Sequence, residues 1–287
     1  MKLGTMTDGV SEDFGQALSI MQQDGLTQAE LQFLWGTEIG NLTDEQNERA
    51  KQLLDQYGME VSVISKHNFM ALPVMTTEVD SDIYQKHFNN LKNCIKLAKY
   101  FGAKMVRTMT FGKEINIWGY NGADRWMAGN NQAWNKFLCL FEKLVEMAEL
   151  NDITLVMETG TNAMISSGFL ARRLIEDLGT NHLKVLWDPA NTLCCADIPW
   201  PIAYNEIKDL IGHVHIKDIK VNIPHATVHA CPLGQGDMAP YFEKIAASLK
   251  KDGYTGSISL ESIYRPDGGT YMDGYRAQVD TFIKLFS

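Results

Sequence analysis

Short apolar runs alternate with longer amphipathic segments along the whole chain. One such segment carries Tyr84, Phe88, Leu91 and Ile95, whose spacing of four and three residues is the apolar stripe of a helix. The runs with strand character lie at residues 3–6, 31–35, 60–65, 104–109, 153–158, 183–188, 211–218 and 256–262. Each is followed by a segment with helical character, so the pattern predicts repeated strand–helix units.

Helix boundaries are marked by local signals. Thr43 and Gln46 form a capping-box pattern, and the helix that they open is predicted to end at Gly58. We also expect Asp237 to cap a helix that runs through residue 250, and a last helix over residues 275–286.

Eight strand–helix units without a break in composition favour a single α/β domain, a (β/α)₈ TIM barrel over residues 1–287. In such a barrel the active site lies at the C-terminal ends of the strands. A doubly wound open sheet is the alternative, but no G-x-G-x-x-G follows the first strand and no phosphate-loop motif occurs in the sequence.

Composition argues against several classes of partner and of structural site. The net charge of −9 argues against nucleic acid as a partner. The five cysteines show no C-x-x-C spacing, which argues against a disulfide framework or a zinc knuckle. We expect no signal peptide or membrane span, and hence a cytoplasmic protein.

Four of the later predicted strands carry ionisable side chains at their C-terminal ends. These ends carry Glu158, Asp188, His215 with Lys217, and Glu261. Any one carboxylate there could be a solvated loop residue or a helix cap, but three inside one barrel mouth would repel each other unless a cation lies among them. Three oxygens and one nitrogen suit Mn²⁺, our first expectation, or Mg²⁺, Co²⁺ or Zn²⁺.

The motifs around these positions resemble the xylose isomerase-like TIM-barrel superfamily of sugar isomerases, epimerases and inosose dehydratases. They are Met157-Glu-Thr-Gly160, Trp187-Asp-Pro-Ala-Asn191, His213-Val-His-Ile-Lys-Asp218, Pro232-Leu-Gly-Gln-Gly-Asp237 and Ser259-Leu-Glu-Ser262. The resemblance implies that Glu158, Asp188, His215 and Glu261 bind one divalent metal ion.

The resemblance also implies a reaction. In the epimerases of this superfamily the metal binds a ketone oxygen and a neighbouring hydroxyl of a sugar. One of Glu158 and Glu261 removes the proton next to the carbonyl, the cation stabilises the enediolate, and the other glutamate returns a proton from the opposite face. The implied partner is therefore a small carbohydrate.

Two positions depart from the superfamily. The ketose 3-epimerases carry a histidine three residues after the aspartate and an arginine six after the metal histidine, whereas this chain has Asn191 and Val221. The related AP endonucleases use that histidine and others in a multi-zinc site, so Asn191 and the acidic charge argue against DNA repair. Asn191 can still hydrogen-bond a sugar hydroxyl.

Other residues are predicted to contact substrate. Lys217 could stabilise an oxyanion, bind a substrate carboxylate, or simply pair with Glu261 or Asp188. Arg107 ends the fourth strand on the inward side and could instead form a salt bridge with Glu158. His67 lies just past the third strand, and His213 is expected to be a hydrogen-bonded core histidine rather than a ligand.

The segment 111–132 is long for a connection in a barrel and carries Trp118, among other aromatic residues. Its length and aromatic content favour a lid or a pocket wall against a sugar ring. The alternative is that these aromatic residues bury a subunit interface, so a homo-oligomer is possible.

Three functions remain open on the sequence. The first is a metal-dependent isomerase or epimerase of a keto-sugar or keto-glycoside. The second is a lyase with the same metal site, either an inosose-type dehydratase or an oxo-sugar-acid lyase. The third is a barrel retained for sugar binding without catalysis.

Overall fold

The computed structural model describes residues 1–113 and 132–287. Within these residues, eight parallel strands close into a barrel, and β1 pairs with both β2 and β8. The strands are β1 (Lys2–Met6), β2 (Gln28–Leu31), β3 (Glu60–Ile64), β4 (Met105–Thr108), β5 (Thr154–Glu158), β6 (Leu183–Trp187), β7 (Ile211–Ile216) and β8 (Ser257–Leu260). The predicted (β/α)₈ barrel is confirmed.

Helices of the described chain lie between and after the strands. They are α1 (Phe14–Gln23), α2 (Asp44–Tyr57), α3 (Asp82–Phe101), α4 (Gln132–Asn151), α5 (Gly168–Leu178), α6 (Pro189–Cys194), α7 (Tyr204–Ile207), α8 (Phe242–Lys251), α9 (Tyr271–Arg276) and α10 (Val279–Phe286). The capping box of α2 forms as predicted, with Gln46 and Thr43 bonded reciprocally and Gly58 left-handed at the C-terminus.

The prediction of a strand over residues 31–35 is wrong. The barrel strand β2 ends at Leu31, and the chain then makes a small hairpin in which Phe33–Leu34 pairs with Thr37–Glu38. Its two turn residues, Trp35 and Gly36, have φ of 51° and 73°, which suits a hairpin but is an unusual conformation for tryptophan. The apolar character of the run reflects packing of Trp35 on Phe14, edge to face, rather than a strand.

Two predictions in the last quarter of the chain are also wrong. Asp237 does not cap a helix, because its carboxylate accepts a hydrogen bond from the Val221 amide and α8 begins only at Phe242. Asp237 thereby supports an antiparallel hairpin of Asp218–Asn222 and Thr227–Cys231 that the sequence did not indicate. The expected last helix is divided into α9 and α10, with Gln278 between them in a non-helical conformation.

The barrel interior has an apolar layer beneath its polar mouth. Val63, Val156 and Leu186 form a buried cluster inside the strands, and Met105 packs against it. Strand alternation places Val156 on the inward face below Glu158. Among the described residues, no helix has the length and apolar character needed to cross a bilayer.

Candidate metal centre

Four strands bring their predicted ligands to one point. Glu158 is the last residue of β5, Asp188 follows β6, His215 lies near the end of β7, and Glu261 follows β8. One potential ligand atom from each side chain lies within 4.8 Å of the others. All are buried except Glu261, whose side chain is 16% exposed and faces the mouth.

The two carboxylate oxygens of Asp188 have different roles: one caps a helix and the other faces the candidate metal site. Oδ1 accepts hydrogen bonds from the amides of Ala190 and Asn191, at 2.9 and 3.0 Å, and so caps helix α6. Oδ2 lies 2.6 Å from the Lys217 ammonium and makes no hydrogen bond of acceptable geometry. Burial raises the pKa of Asp188 to about 6, and the neighbouring carboxylates add to this effect against the attraction of Lys217.

Glu158 is held ionised by a buried cation. Arg107 Nη1 lies 3.2 Å from Glu158 Oε2, and both side chains are almost fully buried. The amide of Asn191 donates to the other oxygen, Oε1, at 3.2 Å. Burial alone would raise the pKa of Glu158, but Arg107 and then His215 lower it to about 2. Glu158 is therefore held as an ionised carboxylate at the mouth of the barrel.

His215 directs its two ring nitrogens at different groups. Nε2 lies 2.9 and 3.0 Å from the two oxygens of Glu30, a fully buried residue of β2. Nδ1 lies 3.6 Å from both Glu158 Oε1 and Glu261 Oε2, and has no hydrogen-bond partner among the described residues. Burial opposes the charged form of His215, but Glu30 and Glu158 raise its pKa well above the usual value.

Lys217 lies between two of the predicted ligands. Its ammonium is 2.6 Å from Asp188 and 2.8 Å from Glu261 Oε2, and its side chain is 10% exposed. Burial opposes its charge, yet these carboxylates raise the pKa of Lys217, so it stays protonated. The pairing that the sequence left as an alternative is present with both carboxylates.

The residues present fit a divalent cation. Four buried or nearly buried carboxylates, those of Glu30, Glu158, Asp188 and Glu261, are balanced by the permanent charges of only Arg107 and Lys217 in this cluster. A metal ion would displace the proton from His215, and with both histidines neutral the cluster has an excess of two negative charges, which one divalent ion would balance. The unpaired His215 Nδ1 is a suitable nitrogen donor for it.

Sequence comparison identifies the family. Residues 19–285 match the family described as a xylose isomerase-like TIM barrel. The chain belongs to this family. A search of curated protein sequences gives no match.

Solved structures with similar folds are distant in sequence. They include a 3-keto-D-glucoside 4-epimerase, YcjR, from E. coli, at 19% identity and TM-score 0.71, covering 99% of this chain and 98% of that one. The probable 3-DHS dehydratase AsbF from Bacillus anthracis is 18% identical, with TM-score 0.75 and 99% of each chain covered. The IOLI protein, solved with a zinc atom, is 15% identical, with TM-score 0.76 and 100% and 98% covered. At such identities the similarity is one of fold.

Of the other predicted substrate contacts in this xylose isomerase-like barrel, some touch the candidate metal ligands and others do not. Asn191 touches Glu158, and Arg107 is used in the salt bridge with Glu158 that the sequence left as an alternative. His67 lies apart, with its ring bonded to Glu38 and Gln32. Trp118 and most of the proposed lid, residues 114–131, lie outside the described residues. Substrate contact by these residues stays a prediction.

Sequence reasoning missed Glu30, which bonds His215 from β2, outside the four strands that carry the predicted ligands. Its strand was misplaced, and the register between β2 and β3 shifts between Ala29 and Glu30, so simple alternation from a predicted boundary fails there. The available signal was Gln28-Ala-Glu-Leu31, a charged residue inside a short run that follows Gly25 and precedes an apolar stretch.

His213 lies one layer below His215, as expected of a core histidine. Its Nδ1 lies 2.9 Å from Ser257 Oγ, and its Nε2 lies 2.8 Å from Glu30 Oε2 and 3.0 Å from Ser259 Oγ. Burial lowers the pKa of His213, and Glu30 only partly offsets this effect. A neutral His213 that donates from Nε2 to Glu30 satisfies these contacts.

Proposed function

We propose that this protein is a divalent-metal-dependent isomerase or epimerase that acts on a keto-sugar or keto-glycoside. The observation that carries the proposal is the convergence of Glu158, Asp188, His215 and Glu261, with ligand atoms within 4.8 Å of one another. Family membership supports the same reaction class, since the fold relatives include a protein named as a 3-keto-D-glucoside 4-epimerase.

Those four residues would hold the metal ion. Mn²⁺ is our first expectation, with Mg²⁺, Co²⁺ and Zn²⁺ as alternatives, because three carboxylates and one imidazole do not select strongly among them. A relative in the fold comparison was solved with zinc. When bound, the ion supplies Lewis acidity that polarises a substrate carbonyl and stabilises the enediolate formed by proton loss.

The two glutamates are the candidates for proton transfer. Glu158 is held as a carboxylate by Arg107 and Asn191, so it is available as a base. Glu261 is the most exposed of the four ligands, and one of its oxygens is bonded to Lys217 while the other has no such bond in the structure. Each carboxylate could remove or return a proton at the carbon beside the carbonyl, as the substrate's stereochemistry requires.

Lys217 and Asn191 would bind and orient the substrate. The Lys217 ammonium remains protonated beside Asp188 and Glu261, and can donate to a developing oxyanion. Asn191 already contacts Glu158 and can share its amide with a sugar hydroxyl. Arg107, His67 and Trp118 stay proposed substrate contacts.

A lyase that uses the same site is the second proposal. The observation that favours it is Asn191 in place of a titratable histidine: its amide is engaged with Glu158 and the Thr159 carbonyl and can exchange no proton. A fold relative is named as a probable 3-DHS dehydratase. Loss of a hydroxyl after proton abstraction would then give a product lighter by one water.

The decisive experiment is proton exchange in deuterated water. Protein supplied with Mn²⁺ is incubated with a panel of ketoses and keto-glycosides, and carbon-bound deuterium is followed by NMR and mass spectrometry. We expect deuterium at the carbon beside the carbonyl, with product mass otherwise unchanged for an isomerase or epimerase. Exchange on no member of the panel would contradict the isomerase proposal, and water loss would favour the lyase.

Variants of the two glutamates test whether the deuterium exchange takes place at the candidate metal centre. Glu158→Gln and Glu261→Gln should each slow exchange by about 10²–10⁴-fold, the usual contribution of a positioned acid or base. Glu60→Gln is the matched control, because Glu60 is exposed at the opposite end of the barrel and, among the described residues, its carboxylate bonds Lys2 and Gln28. Normal exchange in both site variants would contradict the assigned roles. Absence of exchange in the wild type, together with sugar binding that Glu261→Gln leaves unchanged, would favour sugar binding without catalysis.

A further inference from the structure

We propose that Glu30 is the positioning residue of the metal centre. By accepting a hydrogen bond from His215 Nε2, it fixes the tautomer in which the Nδ1 lone pair points at the cation. This inference rests on the proposed metal site, and it assigns a role to a strand, β2, that contributes none of the four predicted ligands.

The distances define which nitrogen carries the proton. Glu30 is fully buried, and both its oxygens lie within 3.0 Å of His215 Nε2. An ionised carboxylate only accepts hydrogen bonds, so Nε2 must carry a proton. Metal binding requires a neutral ring, and the proton that His215 then loses is the one on Nδ1. The imidazole Nε2 atoms of His213 and His215 and the Ser65 hydroxyl all lie within hydrogen-bond distance of the two Glu30 oxygens, so the carboxylate is surrounded by donors.

Nδ1 is then left as a lone pair at the right place. It faces Glu158 Oε1 and Glu261 Oε2, each at 3.6 Å, and makes no hydrogen bond to any described residue. Such a buried, unpaired acceptor costs free energy unless a cation or a proton meets it. Carboxylates behind metal-bound histidines set the tautomer in this way and increase the basicity of the ligand.

Glu30 is itself held so that it cannot turn away. His213 Nε2 donates to its Oε2 at 2.8 Å, and the Ser65 hydroxyl donates to its Oε1. The rings of His213 and His215 are nearly perpendicular, at 86°, so each presents one nitrogen to the same carboxylate. With donors on both oxygens, the orientation of His215 is fixed by the barrel interior before any ligand arrives.

A second cation among Glu30, His213 and His215 is the competing interpretation, since their ligand atoms also cluster. The His213–Glu30 and His215–Glu30 pairs are separated by 2.8–3.0 Å, the length of N–H···O hydrogen bonds. The hydroxyls of Ser257 and Ser259 account for the remaining contacts of His213. Protons therefore explain this cluster, and we assign it no metal.

The direct test is NMR of the full chain with ¹⁵N-labelled histidine and ¹¹³Cd²⁺ as the probe ion. We expect ¹¹³Cd coupling to Nδ1 of His215 and a slowly exchanging proton on Nε2, with one equivalent of cadmium bound. His215→Gln identifies the signal by its loss. Coupling to Nε2, or a second equivalent bound by His213, would overturn the assignment to Glu30.

Variants give an independent measurement with Co²⁺, followed by its visible spectrum. Glu30→Gln should weaken Co²⁺ binding by about 10–100-fold, as is typical when the partner of a ligating histidine is changed. Ser259→Ala, which removes only a contact of His213, should stay within about threefold of wild type. Equal affinity in Glu30→Gln and wild type would refute the positioning role.

The outcomes separate this inference from the proposed function. A wild-type protein that binds neither ¹¹³Cd²⁺ nor Co²⁺ contradicts the metal centre itself, and both proposals fail together. A wild-type protein that binds through Nε2 keeps the metal centre and removes only the role of Glu30. If Glu30→Gln does not fold, the cadmium experiment on the wild type decides the question alone.

Discussion

Strands β5–β8 and strands β1–β4 contribute differently to the mouth of the barrel. The first group carries Glu158, Asp188, His215 and Glu261 at or just after the strand ends, with one potential ligand atom of each within 4.8 Å of the others. The second group supplies Glu30 and Arg107, whose side chains are buried. Glu30 bonds His215 and Arg107 bonds Glu158, so both contact predicted ligands without being predicted ligands themselves. One half of the barrel therefore presents candidate ligands, and the other half fixes their orientation and charge.

This division has an electrostatic reason. Three carboxylates can stay ionised in a buried site only if neighbouring groups compensate them. Arg107 does so for Glu158 and Lys217 for Glu261, while Asp188, with a pKa raised to about 6, remains the least compensated. The following predictions test whether the two halves are distinct, from the largest expected effect to the smallest.

Asp188→Asn should strongly weaken metal binding without unfolding the protein. The asparagine oxygen can still cap helix α6 by accepting from Ala190 and Asn191, but the charge of Oδ2 is lost. We expect Co²⁺ affinity to fall by more than about 100-fold, beyond the effect of changing a supporting residue. Calorimetric titration measures the affinity, and thermal unfolding checks that Tm is retained. Undiminished affinity would exclude Asp188 as a ligand.

Arg107→Met should be the most destabilising change among the supporting residues. It leaves the buried Glu158 without its cation, and breaking a buried ion pair from one side costs about 3–5 kcal/mol. Urea unfolding at pH 7 measures the loss. Lys143→Met is the matched control, because the Lys143–Glu146 pair is exposed to solvent and such surface pairs contribute little to stability. Similar losses in both variants would mean that Arg107 is not compensating Glu158.

The sequence was sufficient for the half of the site that lies at strand ends. Glu158, Asp188 and Glu261 each follow or end an apolar strand, so the alternation of side chains and the C-terminal rule for barrels locate them. Glu30 could not be found in this way, because it sits inside a short strand at an irregular register. Its function depends on two histidines more than 180 residues away, a contact that only the closed barrel creates.

The predicted boundaries of strands and helices were wrong where tertiary contacts outweigh the local sequence pattern. The apolar run 31–35 divides between the end of β2 and a small hairpin, whose turn residue Trp35 has a positive φ and packs on Phe14. Asp237 had the sequence context of a helix cap but is recruited by the Val221 amide of a hairpin. Both errors come from side chains whose partners are distant in sequence.

Asp8→Asn should stabilise the protein above pH 6. Asp8 follows β1 at the mouth, and its Oδ1 is buried without a hydrogen bond to any described residue. Burial raises the pKa of Asp8 from 3.8 to about 6, so the folded state binds the proton more tightly than the unfolded state. Wild-type stability therefore falls as pH rises from about 4 to 6, and this loss is absent in the variant.

The expected gain for Asp8→Asn at pH 7.5 is about 1–2 kcal/mol, reduced from the full shift because Asp8 is partly exposed. Urea unfolding of both proteins between pH 3.5 and 7.5 measures it. The difference should shrink to near zero at the acidic end, where Asp8 is protonated in both states. A variant less stable than wild type at pH 7.5 would show that the charged carboxylate is satisfied in the native protein.

His67→Ala should have the smallest effect on the metal centre. Although His67 lies just past β3 in the supporting half, its ring bonds Glu38 and Gln32 and is 31% exposed, and no bond joins it to a predicted ligand. We expect Co²⁺ affinity within about threefold of wild type, in contrast to the 10–100-fold loss expected for a residue that supports a ligand. If His67 instead binds substrate, KM for any ketose found by deuterium exchange should rise while metal affinity stays constant. A loss of Co²⁺ affinity comparable to that of Glu30→Gln would mean that the supporting half acts as one connected unit, and the distinction between Glu30 and its neighbours would have to be abandoned.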